Sequence, residues 1–191
     1  LAPGSIEEAF ELTALAFNLA DEFQSPVFVL TDQAFVDANY TVSDVQAEGV
    51  PLERYVVEVP KDYKRYAITE SGVSPHGVPG HGPGLVAADS HTHPEDGHIS
   101  EDAGIRTAMV DKRLRKGEGM LKKAVPPTVS LADGYDVLVV CWGSTRHVVE
   151  EAISALERDD VACAHFSQVY PLSAQTGTLF NGAKTTVCVE Q

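Results

Sequence analysis

Apolar residues recur with a helical period over the first two dozen positions and then give way to strand-like runs. Pro3 and Gly4 turn the chain, Ser5 stands where an N-cap belongs, and Glu8 three residues on completes a capping box. The spacing predicts a helix over 6–23. Ile6, Phe10, Thr13, Ala14 and Phe17 form one stripe of it, and Leu12, Leu15, Ala16 and Leu19 widen the stripe to a second face, so the helix is expected to pack on more than one side. Pro26 separates it from VFVLTD, 27–32, an unbroken apolar run of the kind seen in a parallel strand covered on both faces. From 35 to 66 the pattern loosens and predicts a connector with a short extended piece at 55–59.

The second half is patterned more sharply. Residues 102–116 read as a helix with Ile105, Met109, Val110 and Arg113 near one face. DVLVVCWGS, 136–144, predicts a buried strand ending in a glycine turn, and Thr145 is placed to cap a helix whose Val148, Val149, Ala152, Ile153 and Leu156 share a face. VACAHF, 161–166, is the next strand, so a right-handed crossover joins the two. TTVCVE, 185–190, is a further strand candidate. The expected class is α/β with a mostly parallel sheet. The chain starts without methionine on a helix and ends on a strand, which suggests a piece of something longer.

Between the halves lies the chemistry-bearing stretch, DSHTHPEDGHISEDAGIRTAMVDKRLRK, 89–116, with three of the seven histidines. It follows GVSPHGVPGHGPG, 72–84, which is too rich in Gly and Pro for regular structure and is expected to be a plain linker. A connector at 122–127 follows it.

Composition narrows the partners. With 191 residues and 43% apolar content the chain can bury a core of its own. No apolar run approaches the roughly 20 residues a membrane helix needs. A formal charge of −14 opposes binding to a phosphate backbone, so nucleic acid is excluded as a principal partner. The basic run of Lys112, Arg113, Arg115, Lys116, Lys122 and Lys123 is expected at and beyond a helix C-terminus, where cations favour the dipole. Cys141, Cys163 and Cys188 form no CxxC pattern and read as buried, reduced thiols of a cytoplasmic protein.

Five segments occur in one order along the chain: LAPGSIEEAFELTALAFNLADEFQSPVFVLTDQ, RYAITESGVSPHGVPG, DSHTHPEDGHISEDAGIRTAMVDKRLRK, VCWGSTRHVVEEAI and VACAHFSQVYPL. Together they resemble the α subunit of thiamine-diphosphate-dependent 2-oxoacid:ferredoxin oxidoreductases, above all the 2-oxoglutarate type with a fused γα chain. The resemblance covers nearly the whole chain. It implies the end of a pyrimidine-binding domain at 1–45, a connecting arm at 46–127 and a transketolase C-terminal-like domain at 128–191.

It also implies CoA-dependent oxidative decarboxylation of a 2-oxoacid, with two electrons passing through iron–sulfur clusters to ferredoxin. The catalytic threonine motif, the glutamate facing the aminopyrimidine and the arginine holding the substrate carboxylate map to no position here, so no catalytic or cofactor-binding residue is assigned. The diphosphate and Mg²⁺ site and the clusters belong to a partner β subunit, in a dimer of heterodimers. Family members carry a pattern like EHDExGH in the loop. His93, Asp96, Gly97 and His98 keep it, followed by Arg106 and Arg113, while Thr92 and Pro94 depart from it.

The same residues also admit other chemistries. His91, Thr92, His93 and Pro94, with Ser100 and Asp102, resemble the JAMM zinc-peptidase motif, in which two histidines and an aspartate hold the metal. Both gaps between these residues are shorter than that motif requires. A non-catalytic interaction module is the other alternative, with Arg106 and Arg113, seven apart, pairing carboxylates across an interface. Gly143 and Ser144 occupy the C-terminal end of a strand, where α/β sheets bind ligands. His147 and His165 are expected to be structural, and Trp142 to pack against the neighbouring domain.

Overall fold

The computed structural model describes residues 1–42, 51–130 and 134–190. The domain boundary expected at residue 45 lies outside these. The elements are α1 Ile6–Phe23, α2 Gln33–Asp37, β1 Val56–Val57, β2 His76–Gly77, α3 Ala103–Lys122, β3 Thr128–Ser130, β4 Val137–Trp142, α4 Thr145–Ala155, β5 Val161–Phe166, α5 Thr176–Asn181 and β6 Thr185–Val189. They group into two compact units. One comprises Leu1–Phe17, Val27–Pro51 and Leu121–Gln191, and the other Asn18–Pro26 and Leu52–Met120.

The first unit is built on a four-stranded sheet of order β3-β5-β4-β6. β4 runs parallel to both β5 and β6, with Val139 opposite Cys163 and Val187, and β3 is an antiparallel edge. β3 has no counterpart in the sequence pattern, because Thr-Val-Ser is too short to alternate visibly. Every residue of β5 is buried, as its run of small and apolar side chains requires of a strand covered on both faces. Cys141, Val149, Ile153, Val161 and Cys163 form the core on the α4 side, and Leu138, Ala162, Ala164 and Phe166 form another cluster. Cys141 and Cys163 are buried free thiols as expected, but Cys188, on edge strand β6, is exposed.

α1 has the expected bounds and the expected start. The Ser5 hydroxyl accepts from Glu8 N at 3.2 Å, and Glu8 Oε2 accepts from Gly4 N at 2.6 Å. Its buried face, however, is Leu12 and Ala16, which pack with Leu1, while Phe10 and Phe17 are exposed, Phe17 by 68%. VFVLTD is not a buried strand. Leu1 N donates to Phe28 O and Leu30 N donates to Leu1 O, both at 2.8 Å, the bonding of one parallel rung. A single rung leaves Phe28 73% exposed, because no sheet covers its faces among the described residues. The stretch after it is not all connector either: Asp32 caps the short α2 by accepting from Phe35 N at 2.8 Å. At α4 the cap position is Ser144, and Thr145 is already helical, its hydroxyl donating to Trp142 O at 2.6 Å.

The second unit holds little regular structure besides α3 and the parallel pair β1-β2. Its glycine-rich stretch is packed rather than free. Val59 N donates to His81 O at 2.7 Å, and Gly84 N donates to Val59 O at 3.0 Å, which buries Val59 to 1% exposure. α3 runs past the expected end at 116 to Lys122, because Gly117 and Gly119 do not break it; Gly119 faces the Phe23 ring. The basic run therefore lies mostly inside the helix, and only Lys122 is left in the last turn. No helix among the described residues is long and apolar enough to cross a membrane.

Candidate functional site

The histidine loop is held by its own backbone. Asp89 N donates to Gly97 O at 2.9 Å and Ser100 N to Thr92 O at 3.0 Å. Gly97 has φ +90°, and a side chain there would strike the Ala87 carbonyl, so the glycine is what lets the strands of the loop close. Asp96 Oδ1 accepts from His98 N at 3.2 Å, and the exposed His98 ring lies 3.7 Å from Asp89. Glu95 fastens the loop to the 64–68 segment, with Oε1 accepting from Ile68 N at 2.8 Å and Oε2 3.3 Å from Lys64. The Ile68 N–H, more than the lysine, holds the Glu95 carboxyl below its ordinary value.

His91, His93 and Asp102 do not converge. Asp102 Oδ1 accepts from Ile105 N at 2.8 Å at the start of α3, and the His93 ring stacks on Tyr66 with centroids 3.7 Å apart. Among the described residues no group of three metal-ligating side chains comes together. The zinc-peptidase geometry is absent there because one of its carboxylates is spent on a helix start and one of its imidazoles on an aromatic stack.

Below His93 lies a cleft of about 210 Å³ whose lining includes Arg65, Ser74, Lys112, Arg113 and Lys116. Lys112, 6% exposed, is its centre. The Nζ donates to Tyr66 O at 2.8 Å and to the Ser74 hydroxyl. Lys116 Nζ donates to the Ser25 hydroxyl at 2.9 Å and to Gln24 O at 3.3 Å, and Arg65 to Gln24 Oε1 at 2.6 Å. Burial first, and then the neighbouring Lys116 and Arg65, push the Lys112 ammonium down to about 8. Burial and Arg113 also lower Lys116.

Gly72, at φ +78°, lets the 72–74 loop lie directly on α3; a side chain there would meet the backbone of Lys112 and Lys116. Arg106 and Arg113 share a helix but not a role, since Arg113 lines the cleft and Arg106 does not. Lys112, expected only as part of a basic helix end, is instead a buried member of the cleft. Its signal was the spacing 105, 109, 112, 116, an inward stripe in which two lysines take apolar positions.

The first unit has a cleft of its own, about 260 Å³, lined by Pro3, Leu30, Asp32, Trp142, Gly143 and Ser144 among others. It sits at the C-terminal end of β4, as the Gly143-Ser144 position implied. The Ser144 hydroxyl donates to Asp32 Oδ2, and this bond, ahead of the Phe35 N–H, lowers the Asp32 carboxyl from its ordinary value. His165 is buried on β5 with Nε2 3.1 Å from Gly143 O, a structural position, and burial lowers its pKa. His147 is exposed on α4, 3.5 Å from Glu150. Trp142 packs on the Leu138 and Phe166 cluster of the same unit.

A family profile described as pyruvate flavodoxin/ferredoxin oxidoreductase, thiamine diphosphate-binding, matches residues 1–112, more than half the chain. The chain belongs to this family. The α subunit of 2-oxoacid:ferredoxin oxidoreductase 2 of Aeropyrum pernix is 31% identical over 202 aligned residues, covering all of this chain and 31% of that protein. The α subunit of 2-oxoacid:ferredoxin oxidoreductase 1 of Sulfurisphaera tokodaii is 32% identical over 161 residues, covering 80% of this chain and 25% of that one. The chain thus spans a third or less of these oxidoreductase subunits. Its fold matches a 2-oxoglutarate:ferredoxin oxidoreductase from Magnetococcus marinus, solved with 2-oxoglutarate, coenzyme A and succinyl-CoA bound, at TM-score 0.87 and 26% identity over 98% of this chain and 34% of that one.

Proposed function

We propose that this chain is part of the α subunit of a 2-oxoacid:ferredoxin oxidoreductase. In that reading 1–45 closes a pyrimidine-binding domain, 46–127 is a connecting arm and 128–191 belongs to a transketolase C-terminal-like domain. The complete enzyme converts a 2-oxoacid and CoA thiol into acyl-CoA, CO₂ and a proton, and releases two electrons to ferredoxin. The observation that carries the reading is the family match over residues 1–112, supported by the agreement in fold with an enzyme that binds a 2-oxoacid and CoA. That enzyme makes 2-oxoglutarate the first substrate to try.

Thiamine diphosphate supplies, when bound, the carbon nucleophile this decarboxylation requires. In this reading the Mg²⁺ and diphosphate site, like the iron–sulfur clusters, is assigned to a β subunit in a dimer of heterodimers in the cytoplasm. This chain's own part is to build surface and clefts. Large apolar side chains exposed on the first unit, among them Phe28, Val36 and Tyr170, suit contact with other parts of such a complex. His93, Asp96, Gly97 and His98 shape the loop, and the exposed Arg106 is a candidate for an interfacial carboxylate.

The test is reconstitution. The full-length subunit, coexpressed anaerobically with its β subunit, is expected to reduce viologen in a CoA-dependent way with 2-oxoglutarate or another 2-oxoacid. A soluble complex that holds thiamine diphosphate and intact clusters, yet reduces nothing with any 2-oxoacid, would overturn the assignment.

A further inference from the structure

Four cations, Arg65, Lys112, Arg113 and Lys116, line one cleft of about 210 Å³ to which no carboxylate contributes a wall. In a chain with a formal charge of −14 and only 14 basic residues, this concentration runs against the average field. The hydrogen bonds of Lys112, Lys116 and Arg65 go to neutral groups: the carbonyls of Tyr66 and Gln24, the hydroxyls of Ser74 and Ser25, and the Gln24 amide oxygen. Among the described residues none of the four has a carboxylate within ion-pair distance. Like charges gathered at a partly dehydrated site repel one another unless an anion compensates them. In addition, His93 Nδ1, at the same cleft, is buried without a hydrogen-bond partner.

We infer that this cleft is a binding subsite for the oxyanion of a small molecule, a phosphate or a carboxylate, held by Lys112, Lys116, Arg113 and Arg65. The inference does not rest on the proposed catalytic activity. The volume is below the roughly 300–1,000 Å³ of sites that enclose a whole drug-sized ligand, and it suits a single charged head group. Three groups are already aimed: Gln24 holds Arg65 and Lys116, and the Tyr66 carbonyl and Ser74 hydroxyl hold Lys112, so little side-chain entropy is left to lose on binding. Arg113 is the adjustable member, exposed and two turns from the well-packed Gly119. The other charged and titratable groups near Lys112 are Glu95, Tyr66 and His93, and burial leaves the ammonium near pKa 8, so binding should weaken as pH rises through 8.

The experiment uses the full-length subunit in its complex, saturated with thiamine diphosphate and CoA, and titrates inorganic pyrophosphate and, in a separate arm, succinate by calorimetry at low salt. Saturable binding is expected with one of them, weakened at least tenfold by Lys112→Met and by Arg113→Gln. The ligand that binds and is lost in both variants names the source, phosphate or carboxylate. Arg113→Gln alters an exposed side chain and keeps the test valid if Lys112→Met fails to fold, as thermal melting will report. Absence of saturable binding by the folded complex, or binding unchanged in a folded variant, overturns the inference. Viologen reduction measured on the same samples separates that result from failure of the catalytic assignment.

Discussion

At the scale of single residues, backbone crowding decides more than side-chain chemistry. A methyl group at Gly84 would collide with the Pro60 carbonyl and lie 2.9 Å from Val59 Cγ1, whereas one at Gly80, with φ +82°, would meet nothing within 4 Å. Gly84→Ala must displace backbone around the buried Val59 and is expected to cost about 3 kcal/mol or more. Gly80→Ala carries only the left-handed strain, about 1–2 kcal/mol. Urea denaturation of the pair checks the order, and equal losses would refute it.

Asp32 offers a pH test of the same kind. Its carboxylate accepts the Ser144 hydroxyl and the Phe35 N–H, so folding favours the ionised form and lowers its pKa. Stability from such a group is present above the unfolded carboxyl pKa and is lost as pH falls through the lower folded value. Asp32→Ala is therefore expected to cost about 1 kcal/mol at pH 7, the size of a lost helix cap, with the gap narrowing below roughly pH 4. Denaturation curves at pH 7 and pH 3 measure it. A gap that is constant with pH would mean that the carboxylate charge has no part in it.

Elements were legible in existence and less so in orientation. The bounds of α1 and β5 could be read from a capping box and from a six-residue apolar run. Which side of α1 is buried could not, since apolar residues on both sides of the helix make either stripe acceptable, and only Leu1 and its neighbours select Leu12 and Ala16. α4 presents the same choice within one face. Val149 and Ile153 are buried against β4 and β5, while Val148 is 69% exposed. Ile153→Ala is expected to cost about 2–5 kcal/mol through the cavity it leaves. Val148→Ala should stay within about 0.5 kcal/mol. Thermal unfolding of the two variants distinguishes them, and similar losses would place α4 in a different rotation.

For the molecule as a whole, the family could be read from collinear segments and the class from alternating helix and strand patterns. The mostly parallel sheet follows from β4, α4 and β5 alone, because a strand, a helix and another strand in succession return the chain in the same direction. The cationic cleft was not legible. Its lining comes from 23–24, 65–66, 72–74, His93 and α3, segments with no common sequence period, and Lys112 reads as a solvated residue until the 66 and 74 positions close over it.

What the sequence determined by itself was therefore whatever is local and repeated: the capping box and length of α1, three of the four strands of the sheet, and the order of segments that marks the family. The tertiary structure decided what depends on approach between distant segments. It left VFVLTD, an expected core strand, as a largely exposed stretch outside the sheet, tied to Leu1 by a single rung. It made the Gly-Pro stretch a packed wall against Val59, and it gathered lysines from a presumed helix terminus around one cleft. The physical reason is that hydrophobic period and capping are encoded within a turn or two of chain. Burial and charge compensation depend instead on neighbours far away in sequence.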